Sequence, residues 1–140
     1  AFDHRRGQHS STEILRWIVE RGAPAGRVLA ITDADLFIPI LTFVYGEAQL
    51  GGTAAVVSTA RLWPDPAARP DPVLLRERIV KECVHELGHT YGLLHCSDPA
   101  CVMSRSVNIA DVDAKRPVLC RDCADRYREL QAAPREGEHS

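Results

Sequence analysis

The sequence predicts a single α+β domain, because β-rich runs in its first half are followed by helical patterns in its second. Its 140 residues, 45% of them hydrophobic, are enough to build one core. The formal charge of −2 is spread over interspersed signs, so we expect neither nucleic acid nor a membrane as a partner. The longest apolar stretch, Leu36–Tyr45, is interrupted by Pro39 and falls short of the roughly 20 residues of a membrane span. Nothing in the sequence specifies an oligomeric state.

One helix and three strands are predicted in the first half of the chain. Ser10 and Glu13 have capping-box spacing, and the amphipathic run that follows them closes at Gly22. The strands that follow are β-branched or apolar, and the middle one is expected to be irregular because it contains a proline. They are predicted at Arg27–Thr32, Phe37–Tyr45 and Thr53–Thr59.

Two further helices are predicted in the second half. Asp71 is placed as an N-cap and Pro72 as the first residue of a long helix. Its apolar stripe is formed by Leu75, Ile79, Cys83 and Leu87. A last helix is predicted over Ala124–Ala133.

The long helix carries the motif H-E-x-x-H. The four-residue spacing of His85 and His89 places both imidazoles on one face of the helix. Gly92 tolerates the sharp turn that ends the helix and brings His95 back as a third ligand. Three neutral imidazoles leave a tetrahedral zinc ion one open position for water, which is typical of a catalytic site. The alternative is that these are ordinary surface histidines, and the presence of Gly92 and His95 after H-E-x-x-H disfavours that alternative.

Glu86 follows the first histidine and is the predicted general base. Zinc lowers the pKa of its bound water to about 7, and Glu86 is placed to take the proton. The predicted reaction is hydrolysis of an amide bond in a peptide or protein substrate. Met103, the only methionine, follows His95 by eight residues, where a metzincin has its Met-turn. The alternative is that Met103 only fills space in the core.

Four cysteines predict a second, structural zinc site. They form C-x4-C followed by C-x2-C, and four thiolates close a tetrahedral site without room for water. These ligands are Cys96, Cys101, Cys120 and Cys123. Buried free thiols, or a redox pair at the second motif, are the alternatives. Cys83 is turned away from the metal and is expected to be a core residue.

The ordered segments ITDADLFIPILTFVYGEA, STARL, HELGHTYGLLHCSDPACVM and CRDC resemble the archaemetzincin family of metallopeptidases. The resemblance extends over Phe2–Cys123. It implies a metzincin catalytic domain in which a twisted mixed β-sheet covers the active-site helix, with a C-terminal helix beyond. It also implies both zinc sites, the base and the Met-turn residue named above, and makes Thr53–Thr59 a candidate upper rim of the substrate cleft. Some metzincins have an oxyanion-stabilising tyrosine at the position of Arg105, so no side chain is assigned that role.

The domain expected from these features spans residues 1–140. Family members typically carry a strand before the segment that resembles Phe2–Gln8, so this chain is expected to lack it. Its first residues have no signal-peptide pattern, and a cytoplasmic location is expected. Two alternatives share the zinc chemistry. One is a non-peptide amidase, and the other is a zinc-binding scaffold with negligible turnover whose partner surface includes Arg121, Arg126 and Arg128.

Overall fold

The computed structural model describes residues 1–22, 26–65, 67–68 and 71–132. The predicted α+β class is confirmed, since this part of the chain contains seven strands and four helices. In chain order these are β1 Phe2–Asp3, β2 Gln8–Ser10, α1 Ser11–Arg21, β3 Val28–Thr32, β4 Leu36–Ile38, β5 Leu41–Val44, β6 Gly46–Ala48, β7 Ala54–Ser58, α2 Pro72–Thr90, α3 Ile109–Ala114 and α4 Arg121–Ala132. None of these helices is long and apolar enough to cross a bilayer.

The strands are divided between two mixed sheets, where one mixed sheet was expected. The first has the order β1-β2-β4-β5, with β2 and β4 parallel and the other pairs antiparallel. The second has the order β3-β7-β6, with β7 parallel to β3 and antiparallel to β6. The chain crosses from the first sheet to the second at Tyr45, which separates β5 from β6.

The predicted middle strand is a hairpin. Pro39 and Ile40 form the turn between β4 and β5, because proline has no N–H to give to a ladder. The strands β1, β2 and β6 are two or three residues long, too short to show an alternating pattern. The first and last helices were predicted, although α4 begins three residues earlier than expected and Ala133 lies outside the described residues.

Both predicted N-caps are present. The Ser10 hydroxyl accepts a hydrogen bond from the Glu13 backbone N–H at 3.2 Å. The Asp71 carboxylate accepts bonds from Val73 and Leu74 at 3.0 and 3.4 Å and begins α2. These caps satisfy N–H groups that the first helical turn leaves without a partner.

Helix α2 packs on β7 and β6 and buries a polar face. The residues of its predicted apolar stripe are only half-buried. The buried positions are instead Arg78, Lys81, Glu82, His85, Glu86 and Thr90. Charged side chains are almost never fully buried unless they are paired or functional, so this face marks the candidate site.

Candidate active site

The three predicted histidines meet at one point. α2 supplies His85 and His89, and the chain leaves the helix through Gly92, whose φ of +98° favours glycine. This turn returns His95, so that one ring nitrogen from each histidine lies within 4.8 Å of the other two. The Nε2 atoms of His85 and His89 are 3.1 Å apart.

Backbone carbonyls determine which nitrogen of each imidazole carries its proton. His85 Nδ1 lies 2.8 Å from the Val102 oxygen and His89 Nδ1 lies 2.7 Å from the Leu93 oxygen. A carbonyl oxygen can only accept, so both Nδ1 atoms are donors and both Nε2 lone pairs face each other. This arrangement is repulsive unless a cation lies between them. Their separation is close to the roughly 3.3 Å edge of a zinc tetrahedron with bonds of about 2.0 Å, so the donor set fits zinc.

Desolvation favours the neutral form of these imidazoles, of which His85 is buried, His89 half-buried and His95 exposed. It lowers the pKa of His85 to about 3 and also lowers the pKa of His89 and of His95. Metal binding requires the unprotonated ring, and these shifts supply it at neutral pH.

Glu86 lies in the wall of the same cleft and is 5% exposed. Burial, followed by the charge of Glu82, raises its pKa well above the ordinary value for a carboxyl group. Strand β6 touches this side chain through Gly46, because a Cβ there would lie 2.8 Å from Glu86 Oε2 and 2.5 Å from the Val56 oxygen. Only glycine therefore lets the strand approach the glutamate this closely.

The cleft has a volume of about 540 Å³ and is lined by β5, β6, the buried face of α2 and the segment 105–107. The prediction that Thr53–Thr59 forms the upper rim of the cleft is wrong, although the strand itself is present as β7. β7 is the central strand of its sheet, all five of its residues are buried, and none lines the cleft. The strands that line the cleft are β5 and β6, and sequence reasoning missed β6 because it has only three residues.

Met103 packs directly beneath the histidine helix. It is fully buried, and a Cβ on Gly88 would lie 2.4 Å from its sulfur atom. Gly88 stands between the two helical ligands, so the methionine supports the part of α2 that carries them. This placement is consistent with the predicted Met-turn.

Replacing Gly88 by alanine tests that contact. In an exposed helix interior, Gly→Ala stabilises by about 1 kcal/mol. In Gly88→Ala the new methyl group collides with Met103, so we expect destabilisation by about 1–3 kcal/mol in urea unfolding. The control adds the same methyl group to a Met103→Ala protein, in which the colliding side chain is gone. Gly88→Ala should destabilise that protein much less than it destabilises the parent. A Gly88→Ala protein more stable than the parent would contradict the packing.

A buried ion pair lies beside the glutamate. Lys115 Nζ is 3.3 Å from Glu82 Oε1, and the two side chains are 0% and 3% exposed. The ammonium group also donates to the Ser104 backbone oxygen at 3.3 Å, which joins α2 to the segment after Met103. Sequence reasoning assigned these charges no role, although Glu82 stands four residues before Glu86 and therefore on the same helix face.

The four predicted cysteines also converge. Their sulfur atoms lie within 4.8 Å of one another, and Cys96 Sγ is 3.8 Å from Cys120 Sγ. A zinc tetrahedron with bonds of about 2.3 Å has edges of roughly this length, so the set fits a zinc ion.

Backbone donors surround these sulfur atoms. The Met103 and Cys120 N–H groups point at Cys101 Sγ from 3.4 and 3.3 Å. The Cys123 N–H donates to Cys120 Sγ at 3.4 Å and lowers the pKa of that thiol, whereas burial raises the pKa of Cys123. A metal ion is therefore needed to hold all four sulfurs as thiolates. Cys83 lies outside this cluster and is half-buried.

The α+β fold and its H-E-x-x-H helix define a zinc metallopeptidase. Residues 25–129 match the family model described as Peptidase family M54, and the chain belongs to this family.

Individual relatives agree with this assignment. The chain is 46% identical over 125 residues to an archaemetzincin of Methanopyrus kandleri, covering 89% of this chain and 69% of the relative. It is 43% identical over 127 residues to an archaemetzincin of Archaeoglobus fulgidus, covering 91% and 73%.

Solved structures of similar proteins share the fold. The M. kandleri archaemetzincin superposes with a TM-score of 0.88 at 43% identity, covering 95% of this chain and 71% of that one. A zinc-dependent peptidase of Methanocorpusculum labreanum gives 0.80 at 31% identity, covering 90% and 78%.

Proposed function

We propose that this metallopeptidase is of the metzincin type, holds its catalytic zinc on His85, His89 and His95, and uses Glu86 as the general base. The observation that carries the proposal is the meeting of three unprotonated ring nitrogens with one buried carboxyl group in the wall of a single cleft. The substrates that such a cleft accommodates are peptides or proteins.

Zinc bound to these histidines supplies a Lewis acid that acidifies water and polarises the peptide carbonyl. Glu86 accepts the proton of the attacking water and donates it to the departing amine nitrogen as the C–N bond breaks. The carbonyl oxygens of Val102 and Leu93 hold two of the imidazoles in the orientation that the metal requires.

The peptide runs along β6 in this proposal. β6 is the last strand in the order β3-β7-β6, so one of its edges has no partner strand among the described residues and faces the cleft. An extended substrate can pair with such an edge by main-chain hydrogen bonds. Glu47 holds the strand in place by accepting hydrogen bonds from the Ser11 and Thr12 hydroxyls at the start of α1.

A second zinc ion on the cysteine cluster has a structural role in this proposal, and Met103 is the Met-turn residue. A single domain spans residues 1–140. α4, whose Cys123 belongs to the cluster, contacts the core through Leu130 and Tyr127, which supports one cooperative unit. Of the three arginines in the scaffold alternative, Arg126 and Arg128 pair with Glu129 and Asp125 of the same helix.

A digest of a mixed peptide library, read by mass spectrometry, tests this function. We expect new peptide ends from the zinc-loaded protein, none after chelation, and recovery when zinc is restored. The chelated protein is the matched control for contaminating peptidases that need no metal. Absence of cleavage at full zinc loading would favour the scaffold.

A further inference from the structure

The cleft has two chemically different ends. Its direction follows α2, since Glu82 lies one turn before Glu86 and the Gly51 N–H donates to the His89 oxygen at 2.9 Å. The end beside His89 carries Leu50 and Leu94, which are 59% and 66% exposed. The histidines lie between this apolar end and the opposite end, so the two ends receive side chains from opposite sides of the scissile bond.

The opposite end has a polar floor formed by Tyr45 and Glu82. Both residues line the cleft and are buried, at 6% and 2% exposure. The Tyr45 hydroxyl forms no hydrogen bond with any group that the structure describes. Glu82 Oε1 is buried and lies 3.3 Å from Lys115 Nζ, and the Glu82 carboxylate accepts no hydrogen bond from a described group. The floor thus offers one free donor and one free acceptor.

The charge balance of this floor selects among ligands. Lys115 is fully buried and already neutralises Glu82, so a cationic side chain would meet a second ammonium group. An anionic side chain would face the carboxylate. An aliphatic side chain would desolvate the Tyr45 hydroxyl without giving it a hydrogen-bond partner, which costs more than a hydrogen bond gains. Burial, followed by the charge of Glu82, raises the pKa of Tyr45 to about 12, so its hydroxyl remains a donor.

We propose that Tyr45 and Glu82 form a specificity subsite that binds the carboxamide side chain of glutamine or asparagine on one side of the scissile bond. The carboxamide oxygen accepts from the Tyr45 hydroxyl, and its NH₂ group donates to the Glu82 carboxylate. This subsite rests on the proposed function and adds a substrate class to it.

The test compares peptides that differ only in the residue on either side of the scissile bond. Glutamine, leucine, lysine and glutamate are placed there in turn, and kcat/KM is measured with zinc-loaded protein. The variant is Tyr45→Phe, which removes a hydroxyl that no described group uses and so leaves the fold intact. Tyr127→Phe is the matched control, because this tyrosine packs on Tyr91 outside the cleft.

The parent is expected to cleave the glutamine peptide at least about 10-fold faster than the leucine peptide at one of the two positions, because the carboxamide gains one neutral bond and one bond to a carboxylate. Tyr45→Phe should lower the ratio of the glutamine rate to the leucine rate by about 3- to 10-fold, the contribution of its one hydrogen bond. Tyr127→Phe should leave this ratio unchanged. A parent that cleaves these peptides without preferring glutamine, or a preference unchanged in Tyr45→Phe, overturns the subsite alone. A parent that cleaves no peptide refutes the proposed function and the subsite with it.

Discussion

Glu86→Gln is expected to lose hydrolytic activity by about 10²- to 10⁴-fold, the usual contribution of general acid–base catalysis. Glutamine preserves the shape of the side chain and leaves His85, His89 and His95 in place as ligands. It cannot take a proton from water at neutral pH, so kcat should fall while the zinc content stays that of the parent. Because Glu86 is buried, glutamine also avoids the cost of desolvating a carboxylate, and the melting temperature should be unchanged or higher.

Glu77→Gln is the matched control, since Glu77 is exposed on the same helix and outside the cleft. It should leave both kcat and zinc content unchanged. A Glu86→Gln protein that cleaves peptides as fast as the parent would show that the base is another group or that the activity belongs to a contaminant. Loss of zinc together with activity would instead show that Glu86 acts by holding the metal site.

The residues that meet at the two candidate metal sites could be predicted because local sequence determines most of their geometry. His85 and His89 are one helical turn apart on any straight helix, and Gly92 signals the turn that returns His95. The cysteines lie in two close pairs, and a tetrahedral ion accounts for all four sulfurs at once. The convergence of these ligands could therefore be predicted without knowing how the strands pair.

The shape of the cleft could not be predicted in this way. β6 has three residues, and its position beside Glu86 depends on pairing with β7 and on the missing side chain of Gly46. Tyr45 reaches the cleft because the chain changes sheets there, and Lys115 meets Glu82 from a helix end more than thirty residues away in sequence. Such contacts arise from tertiary packing, which leaves no periodic signal in the sequence.

Cys123→Ser is expected to damage the fold more than the chemistry. A structural zinc site contributes on the order of 10 kcal/mol of apparent binding free energy, which is comparable to the whole stability of a small domain. Cys123 lies in the first turn of α4, and its cluster ties that helix to the Cys96–Cys101 segment next to His95 and Met103. Serine is a poor zinc ligand, so the variant should melt far below the parent or remain insoluble.

Elemental analysis separates this structural loss from damage to the catalytic site. The parent should contain two zinc ions per chain, one released readily by chelators and one retained, and any folded Cys123→Ser protein should retain only the readily released one. Cys83→Ser is the matched control, because it removes a thiol outside the cluster and should keep both ions and nearly the parental melting temperature. A parent with one zinc ion and five freely titratable thiols would refute the second site. A folded Cys123→Ser protein with the melting temperature of the parent would show that the cluster does not stabilise the fold.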